Sequence, residues 1–216
     1  MARVDNVRKM RAASSDAGAR RMSDTPTLFR EQRNPEQFVA IPITSSETRR
    51  YIPIGYLDKN TIAGNTLFIL ENASLYHFGV LTSNVHMAWM RTVGARMKSD
   101  YRYSKDIVYN NFPWIQTDEK QRAEIEKLAQ SLLDARKNYP SSSLADLYGP
   151  LSMPPDLRKV HQNLDRAVMK LYGFPVKDFT EADCVAVLMT LYSSLAIPNG
   201  ESKVTNSLSN AKQEVI

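Results

Sequence analysis

The sequence DEKQRAEIEKLAQSLLDARK, residues 118–137, decides the fold of the second half of the chain. Its apolar side chains recur every three or four positions: Ile125, Leu128, Ala129, Leu132 and Leu133. This spacing predicts one long amphipathic helix with a single buried stripe, because residues three and four apart lie on the same helix face. Helices are therefore expected to dominate the chain from this point onward.

Three more helices are predicted after this one, over residues 144–148, 155–172 and 181–196. Ser143 and Thr180 are good N-cap residues, and Gly173 is a natural glycine at a helix C-terminus. Residues 197–216 are polar and are expected to form a tail. The region 116–196 is therefore predicted to be all-helical.

Upstream of residue 116, the pattern changes to short runs that are typical of strands, at residues 37–43, 51–56 and 66–70. The first run ends where Pro42 interrupts it, and proline and glycine in the second run favour an edge strand or a bulge, since proline has no N–H for a ladder. Ser83 predicts a helix over 84–96. The tyrosine-rich segment 100–112 predicts strands on either side of a turn at Ser104-Lys105.

These elements predict an α+β protein with a small mixed sheet in residues 28–115 and an all-helical region in 116–196. Two basic helical pieces, at 4–13 and 17–22, begin the chain. They contain too little apolar surface to fold alone, so residues 1–27 are interpreted as a connection from a larger protein.

The composition excludes several classes of protein. Hydrophobic residues make up 43% and charged residues 24%, which are values of a folded globular chain. No apolar run approaches the roughly 20 residues that cross a bilayer, and the N-terminus lacks the apolar core of a secretory signal. The single cysteine, Cys184, excludes an internal disulfide and a cysteine-based zinc site, which fits a reducing cytoplasm.

Catalytic motifs are absent from the sequence. No glycine-rich phosphate or cofactor loop is present, and the three histidines lack metal-ligand spacing, so no catalytic, cofactor or metal residues are assigned. His86 and His161 are interpreted as core histidines. The string Asn111-Phe112-Pro113-Trp114 resembles the Asn-Pro-Pro-aromatic tetrad of amino-methylating enzymes, but Phe112 replaces the first proline. It is interpreted as a strand end that packs on the next helix.

Charge and aromatic residues concentrate in the first half of the chain. The net charge is +5, and residues 1–115 contain 16 basic and 10 acidic side chains together with 13 of the 19 aromatics. The segment MAWMRTVGARMKSDYRYSK, residues 87–105, and the loop SSETRRY, residues 45–51, are the two basic patches. The predicted phosphate-binding residues are Arg49, Arg50, Arg91, Arg96 and Lys105. The patches indicate polyanion binding.

Two classes of function stay open on these residues: sequence-specific recognition of duplex DNA, and a docking module that binds protein or RNA. An exposed basic face that includes Arg49-Arg50 would favour DNA. Burial of Trp89, Tyr101 and Tyr103 with scattered basic side chains would favour docking. A self-contained methyltransferase is a third possibility, which the missing glycine motif disfavours.

Five strings together resemble a known family: residues 45–57, 78–114, 132–136, 143–157 and 164–174. They are SSETRRYIPIGYL, FGVLTSNVHMAWMRTVGARMKSDYRYSKDIVYNNFPW, LLDAR, SLADLYGPLSMPPDL and LDRAVMKLYGF. Over roughly residues 4–195 the chain resembles the C-terminal part of MmeI-like proteins, which are combined restriction–modification enzymes and their methylase-only relatives. Ala95 stands where a glycine is expected in relatives.

The resemblance implies a target recognition domain over 28–115 and a helical C-terminal domain over 116–196. An adenine-N6 methyltransferase domain, in some members with a nuclease, would precede them. S-adenosylmethionine, and Mg²⁺ for cleavage, would be bound by that upstream part, and this chain would be non-catalytic. Its expected partners are double-stranded DNA and the upstream methyltransferase domain of the same polypeptide, with no membrane.

The resemblance also places a variable base-reading segment at Lys98–Arg102, so Lys98, Asp100 and Arg102 are the predicted base-reading residues. Lys98 and Asp100 are two positions apart, and on an extended backbone their side chains would share one face. Lysine only donates and an ionised aspartate only accepts, so the pair could address guanine and cytosine of one base pair. A surface ion pair without a DNA role is the alternative.

Overall fold

The structure, a computed structural model, describes residues 1–30 and 35–196. The predicted polar tail at 197–216 lies outside the described residues. The chain divides into two compact units, one up to Asn34 and one from Pro35 onward. In the described residues no helix combines the length and the apolarity needed to cross a membrane.

The first unit contains helices α1 (Ala2–Ala12) and α2 (Ala17–Arg21) and a 3-10 turn at Met22–Asp24. Neither helix has a fully buried residue. The Arg11 guanidinium instead holds the unit together by donating, at 2.7–3.1 Å, to the carbonyl oxygens of Met22, Thr25 and Leu28. The two predicted basic helical pieces are confirmed.

The second unit contains two three-stranded antiparallel sheets. The first has the order β3-β1-β4, with β1 (Gln37–Pro42), β3 (Gly55–Asp58) and β4 (Leu67–Glu71). The second has the order β2-β6-β5, with β2 (Thr44–Ser45), β5 (Ala95–Met97) and β6 (Asp100–Arg102). The α+β class is confirmed, with the correction that the described pairs are antiparallel and not mixed. A connection as short as that from β5 to β6 permits only antiparallel pairing.

Helices α3 (Leu75–Thr82) and α4 (Asn84–Val93) follow the first sheet and form the centre of the core. α3 has no counterpart among the predicted elements. Six of its eight residues are buried, so it lacks the polar face that gives a helix its periodic pattern. Ser74 and His77 form a capping box that starts α3, and Ser83 caps α4 as predicted.

The segment after α4 differs from its prediction in two ways. α4 ends at Val93 and not at residue 96, because residues 95–97 pair with 100–102. The chain reverses at Lys98-Ser99, whereas Ser104 caps a π-helical turn at Lys105–Tyr109 where the second strand was expected. Phe112 therefore lies in a loop, and its ring packs at 4.6 Å, between ring centres, against the buried His86 and not at a strand end.

Four helices complete the unit up to residue 196, where the described part ends, and all four were predicted: α5 (Glu119–Lys137), α6 (Leu144–Leu147), α7 (Pro155–Leu171) and α8 (Glu181–Ala196). α5 packs between α3 and α7 through its predicted stripe, of which Ile125, Ala129 and Leu132 are fully buried. Gly79 of α3 permits this approach, since a Cβ at that position would lie 2.8 Å from the Ile125 side chain. The helical region and the sheets therefore share one continuous core.

Candidate nucleic-acid interface

The most exposed part of the second sheet is the hairpin of β5 and β6. Met97 pairs with Asp100, so the strands are joined by the two-residue turn Lys98-Ser99. Lys98 has a φ of 58°, a left-handed conformation that such tight turns require. Gly94 connects α4 to the hairpin, and a Cβ there would clash with the Met90 carbonyl oxygen. The buried helix α4 therefore leads directly into the hairpin.

The side chains of β6 alternate between two faces of the hairpin. On the inner face Tyr101 is 8% exposed, and the Arg96 guanidinium lies 4.0 Å from its ring centre. Asp100 and Arg102 flank Tyr101 and lie on the outer face with Met97, which is 45% exposed. The outer face thus presents an acceptor-only and a donor-only side chain two residues apart.

This geometry corrects the prediction that Lys98 and Asp100 share one face of an extended strand. Lys98 lies in the turn, where its positive φ breaks the alternation of side chains, and it is exposed at the tip of the hairpin. Asp100 shares its face with Arg102 instead. All three predicted base-reading residues nevertheless lie on one hairpin, with Lys98 at its tip, Asp100 beside the turn and Arg102 at its base.

The loop Ser46–Arg50 follows β2 and lies against the hairpin. The backbone N–H of Glu47 donates to the Asp100 carboxylate at 3.3 Å, and the Glu47 carboxylate lies 3.9 Å from the Arg96 guanidinium. β2 also pairs with β6, so the loop is attached to the hairpin at two points. We call the loop and the hairpin together the hairpin surface.

Three predicted phosphate-binding residues lie on or near the hairpin surface. Arg96 is exposed, whereas Arg49 is half-buried and its guanidinium lies 3.5 Å from the Ala145 carbonyl oxygen of the helical region. Lys105 is half-buried at the start of the π-helical turn. Arg96 therefore presents its charge most openly of the three.

The other two predicted phosphate-binding residues face the helical region. Arg91 forms an ion pair with Glu181 of α8 at 2.9 Å and also donates to the carbonyl oxygen of Arg50. Arg50 donates from Nε to the hydroxyl of Tyr51 at 3.1 Å. Arg91, which is half-buried, thus joins α4 to α8, whereas Arg50 is exposed and its side chain bonds to its neighbour Tyr51.

The aromatic residues of the basic segment belong to the core. Trp89, Tyr101 and Tyr103 are all buried. Trp89 donates from its ring nitrogen to the Val108 carbonyl at 2.9 Å, and the Tyr103 hydroxyl lies 2.9 Å from the His86 ring. These rings hold α4, the hairpin and the π-helical turn together, and none of them is available to stack on a base.

A buried carboxylate joins the hairpin surface to the helical region. Asp165 of α7 is 4% exposed, and it accepts a hydrogen bond from the Tyr51 hydroxyl at 2.6 Å. Its other oxygen accepts from the backbone N–H of Asn84, the first residue of α4, at 2.8 Å. We call the contact between the helical region and the rest of this unit the seam.

A second cluster crosses the seam beside the first. The buried Arg136 of α5 donates to the Ile54 carbonyl at 2.8 Å and to the Tyr148 hydroxyl oxygen at 2.6 and 3.0 Å. Because that oxygen already accepts twice, Tyr148 donates its proton to His161, 2.6 Å away. The His161 ring stacks on Tyr51, with the ring centres 4.1 Å apart. His161 is therefore a core histidine, as predicted.

Burial sets the protonation states along the seam. Desolvation raises the pKa of Asp165 to about 6, although hydrogen bonds from Tyr51 and Asn84 act in the opposite direction. Burial, with the positive charges of Arg136 and Arg50 nearby, holds the pKa of His161 well below its usual range. His161 is therefore neutral at pH 7, whereas Asp165 is ionised there and begins to bind a proton as the pH falls toward 6.

The described residues contain no group of three or more His, Cys, Asp or Glu side chains that could hold a metal. The only cysteine, Cys184, is buried in α8, and burial raises its pKa to about 12, so it remains a thiol. The groups that this site offers to a ligand are the hydrogen-bonding and cationic side chains of the exposed hairpin.

Comparison with known proteins shows which family has this architecture. The target recognition domain of MmeI matches residues 1–116, and the C-terminal domain of MmeI matches residues 117–198. DNA methyltransferase A of Bacillus subtilis (strain 168) is 34% identical over 195 residues, which are 89% of this chain and 22% of that protein. A solved structure of the Type IIL restriction–modification enzyme MmeI in complex with DNA is 44% identical, with a TM-score of 0.79.

This chain is thus a target recognition domain followed by a helical C-terminal domain. It belongs to the MmeI family, which confirms the resemblance noted from its sequence. The match to the MmeI structure covers 90% of this chain and 26% of that one. The chain therefore spans about a quarter or less of the length of the relatives it matches.

The seam residues Asp165 and Arg136 were not among the predicted site residues, although the sequence contains a signal for both. Asp165 follows Leu164 within the apolar stripe of α7, and Arg136 lies four positions after Leu132 on the buried face of α5. A charged residue in an apolar stripe is buried at a cost, so it indicates a specific partner. The sequence does not show which partner that is.

Proposed function

We propose that this chain reads the sequence of duplex DNA on behalf of an adenine-N6 DNA methyltransferase that lies upstream in the same polypeptide. The observation that supports this most directly is the exposed hairpin with Asp100 and Arg102 on one face and Lys98 at its tip. A two-stranded ribbon fits the major groove of B-DNA, where each base pair shows a distinct pattern of donors and acceptors.

The side chains of the hairpin suit base edges in that groove. Asp100 can accept from the N4 amino group of cytosine, and Arg102 or Lys98 can donate to O6 and N7 of guanine. The Glu47 N–H occupies part of the acceptor capacity of Asp100 and fixes the carboxylate in place. A carboxylate held in this way discriminates better than a freely rotating one, since less side-chain freedom is lost on binding.

Burial of Trp89, Tyr101 and Tyr103 is one of the two features expected of a docking module, and it argues against RNA and single-stranded DNA as ligands rather than against a protein partner. Readers of RNA and of single-stranded DNA rely on exposed aromatic rings on which bases stack. Trp89, Tyr101 and Tyr103 are buried, so this hairpin offers polar groups for a groove and no stacking platform. The related MmeI structure, which was solved in complex with DNA, supports duplex DNA as the ligand.

Phosphate contacts would supply most of the affinity, and Arg49, Arg50, Arg91, Arg96 and Lys105 remain the proposed contacts. We expect the 216-residue chain alone to bind duplex DNA on the order of micromolar at low salt, because non-specific binding is electrostatic. Fluorescence anisotropy with duplex DNA, single-stranded DNA and duplex RNA of one sequence tests this. Preference for duplex DNA supports the proposal, and equal or absent binding favours a docking module.

The chain itself is proposed to be non-catalytic. S-adenosylmethionine, and Mg²⁺ if the parent contains a nuclease, would bind upstream, since this sequence contains no glycine-rich loop. Titration calorimetry of the 216-residue chain with S-adenosylmethionine should show no heat of binding. Saturable binding would contradict the assignment of the cofactor site to the upstream domain.

A further inference from the structure

One carboxylate is hydrogen-bonded to two chain segments, of which one contacts the hairpin and the other leads into it. Asp165 accepts from Tyr51, which directly follows the loop Ser46–Arg50, and from the N–H of Asn84, which begins α4. The loop contacts the hairpin through Glu47, and α4 continues through Gly94 into β5. Asp165 is thus connected to the hairpin by two routes: through the loop that contacts Asp100, and through α4, which continues into β5.

The two bonds of Asp165 are short and are made by groups with few alternatives; the bond from Tyr51 is buried and the bond from Asn84 is partly buried. The N–H of Asn84 belongs to the first turn of α4 and has no partner within its own helix. Tyr51 is 1% exposed, and Arg50 already donates to its hydroxyl oxygen. Loss of the Asp165 acceptors would therefore leave one buried and one partly buried donor unpaired, and the segments that hold them would shift to reach water.

We propose that Asp165 is a positioning residue for DNA recognition: through Tyr51 and the start of α4 it fixes where the hairpin Ala95–Arg102 stands relative to the helical region. This inference rests on the proposed function for its consequence in DNA reading. Its structural part, the placement of the hairpin, is independent of what the hairpin binds.

The hydrogen bonds of Arg136 allow an experiment to separate the positioning role of Asp165 from an effect on the stability of the whole unit. Arg136 bonds to Ile54 and Tyr148 without using Asp165. The seam therefore keeps a second set of hydrogen bonds when Asp165 is changed, and α5 keeps its buried stripe. Replacement of Asp165 should loosen the loop and the hairpin selectively while β1, β4 and α5 stay protected.

Hydrogen–deuterium exchange of the 216-residue chain tests the placement. Asp165→Leu removes both acceptors at similar volume and should speed amide exchange in 46–50 and 95–102 by about tenfold, with β1 and α5 unchanged. Asp165→Asn keeps one acceptor and can donate its amide to the Tyr51 oxygen, so it should restore most of the protection. Asp156→Leu, at an exposed position of the same helix, is the matched control and should leave the hairpin unaffected.

Two outcomes overturn the inference: hairpin exchange that stays at the wild-type rate in Asp165→Leu, or exchange that rises equally across the whole unit. If Asp165→Leu fails to fold, Tyr51→Phe decides the question. It keeps the ring stacked on His161 and removes one donor, so it should speed exchange in 46–50 by a smaller factor. Wild-type rates in a folded Tyr51→Phe variant contradict the proposal.

Selection from a random duplex library measures the consequence for recognition. Asp165→Leu should broaden the sequence that the chain selects, while its affinity for unrelated duplexes at low salt stays at the wild-type value. A motif as sharp as the wild-type motif contradicts the positioning role. If the wild-type chain selects no sequence, the proposed function fails, and the exchange experiment still decides whether Asp165 places the hairpin.

Discussion

The hydroxyl of Tyr51 lies 2.6 Å from the carboxylate of Asp165, and this bond joins the loop beside the hairpin to the helical region. The two residues are 114 positions apart in the chain. Because Asp165 is buried, its charge depends on this bond, on the N–H of Asn84 and on the nearby cations Arg50 and Arg166. The contact therefore makes the stability of the seam sensitive to pH.

The first prediction concerns that pH dependence. The pKa of Asp165 is raised from 3.8 to about 6 in the folded protein, so the native state binds more protons than the unfolded state between these values. The contribution of this group to the free energy of unfolding therefore falls as the pH rises from about 4 to about 6. Asp165→Asn lacks this titration but keeps similar shape. Urea unfolding at several pH values should show wild type losing stability relative to Asp165→Asn over that range. Parallel pH profiles would contradict the buried, raised pKa.

The second prediction concerns the cluster at Arg136. Replacement by Met keeps the apolar stem but leaves the Ile54 carbonyl without its donor and removes both bonds to the Tyr148 hydroxyl oxygen. We expect Arg136→Met to lower the free energy of unfolding by about 2–4 kcal/mol. The neighbouring Lys137→Ala is the control, because its exposed ion pair with Asp134 contributes about 0–1 kcal/mol. Equal effects in urea unfolding would show that Arg136 is not a seam residue.

The third prediction tests the packing of α3 on α5. A Cβ at Gly79 would lie 2.8 Å from the Ile125 side chain and 3.3 Å from that of Ala129. Gly79→Ala should therefore destabilise the protein by about 1–3 kcal/mol, since a filled core resists added volume. Gly64→Ala is the matched control, with no atom within 4 Å of the added methyl. If both variants lower the midpoint temperature of thermal unfolding equally, the close approach of α3 and α5 is contradicted.

Much of the fold follows from sequence patterns. The stripes of α5 and α7, with the caps Ser143 and Thr180, correctly predict the helical region because each helix has one buried and one exposed face. α3 is missed since it is buried on most sides and shows no period. The strand predicted at 51–56 shifts to Gly55–Asp58, because Pro53 has no N–H to donate.

The candidate site is predictable only in part, for a physical reason. Charge and the family resemblance indicate the segment that contains Lys98, Asp100 and Arg102. The left-handed turn at Lys98 is not predictable from its residue type, since lysine rarely adopts that conformation. Contacts such as that between Tyr51 and Asp165 connect distant parts of the sequence, and a single sequence does not reveal which buried polar groups meet.

The fourth prediction concerns phosphate binding. Arg49→Ala with Arg50→Ala should weaken binding to all duplex sequences alike and should flatten the slope of log K against log salt by about 1–2, near 0.9 for each lost phosphate contact. Arg50 also bonds to Tyr51, so its replacement disturbs the position of the loop as well as removing a charge. The single Arg49→Ala variant removes a charge without disturbing that bond. Arg166→Ala, an exposed arginine of α7, is the control. Unchanged affinity in a folded double variant would remove this loop from the interface.

The most direct test of the account is selection from a random duplex DNA library by the wild-type chain and by a variant that reverses the two charges of the outer face, Asp100→Arg with Arg102→Glu. If the hairpin reads bases, the wild-type chain enriches a defined sequence, and the variant exchanges G·C for C·G at one position, since a good base contact discriminates by about 1–3 kcal/mol. The matched control reverses the surface pair of α5, Lys137→Glu with Asp134→Arg, and should select the wild-type sequence. Selection of the wild-type sequence by the hairpin variant as well, at unchanged enrichment, would contradict base reading by this hairpin.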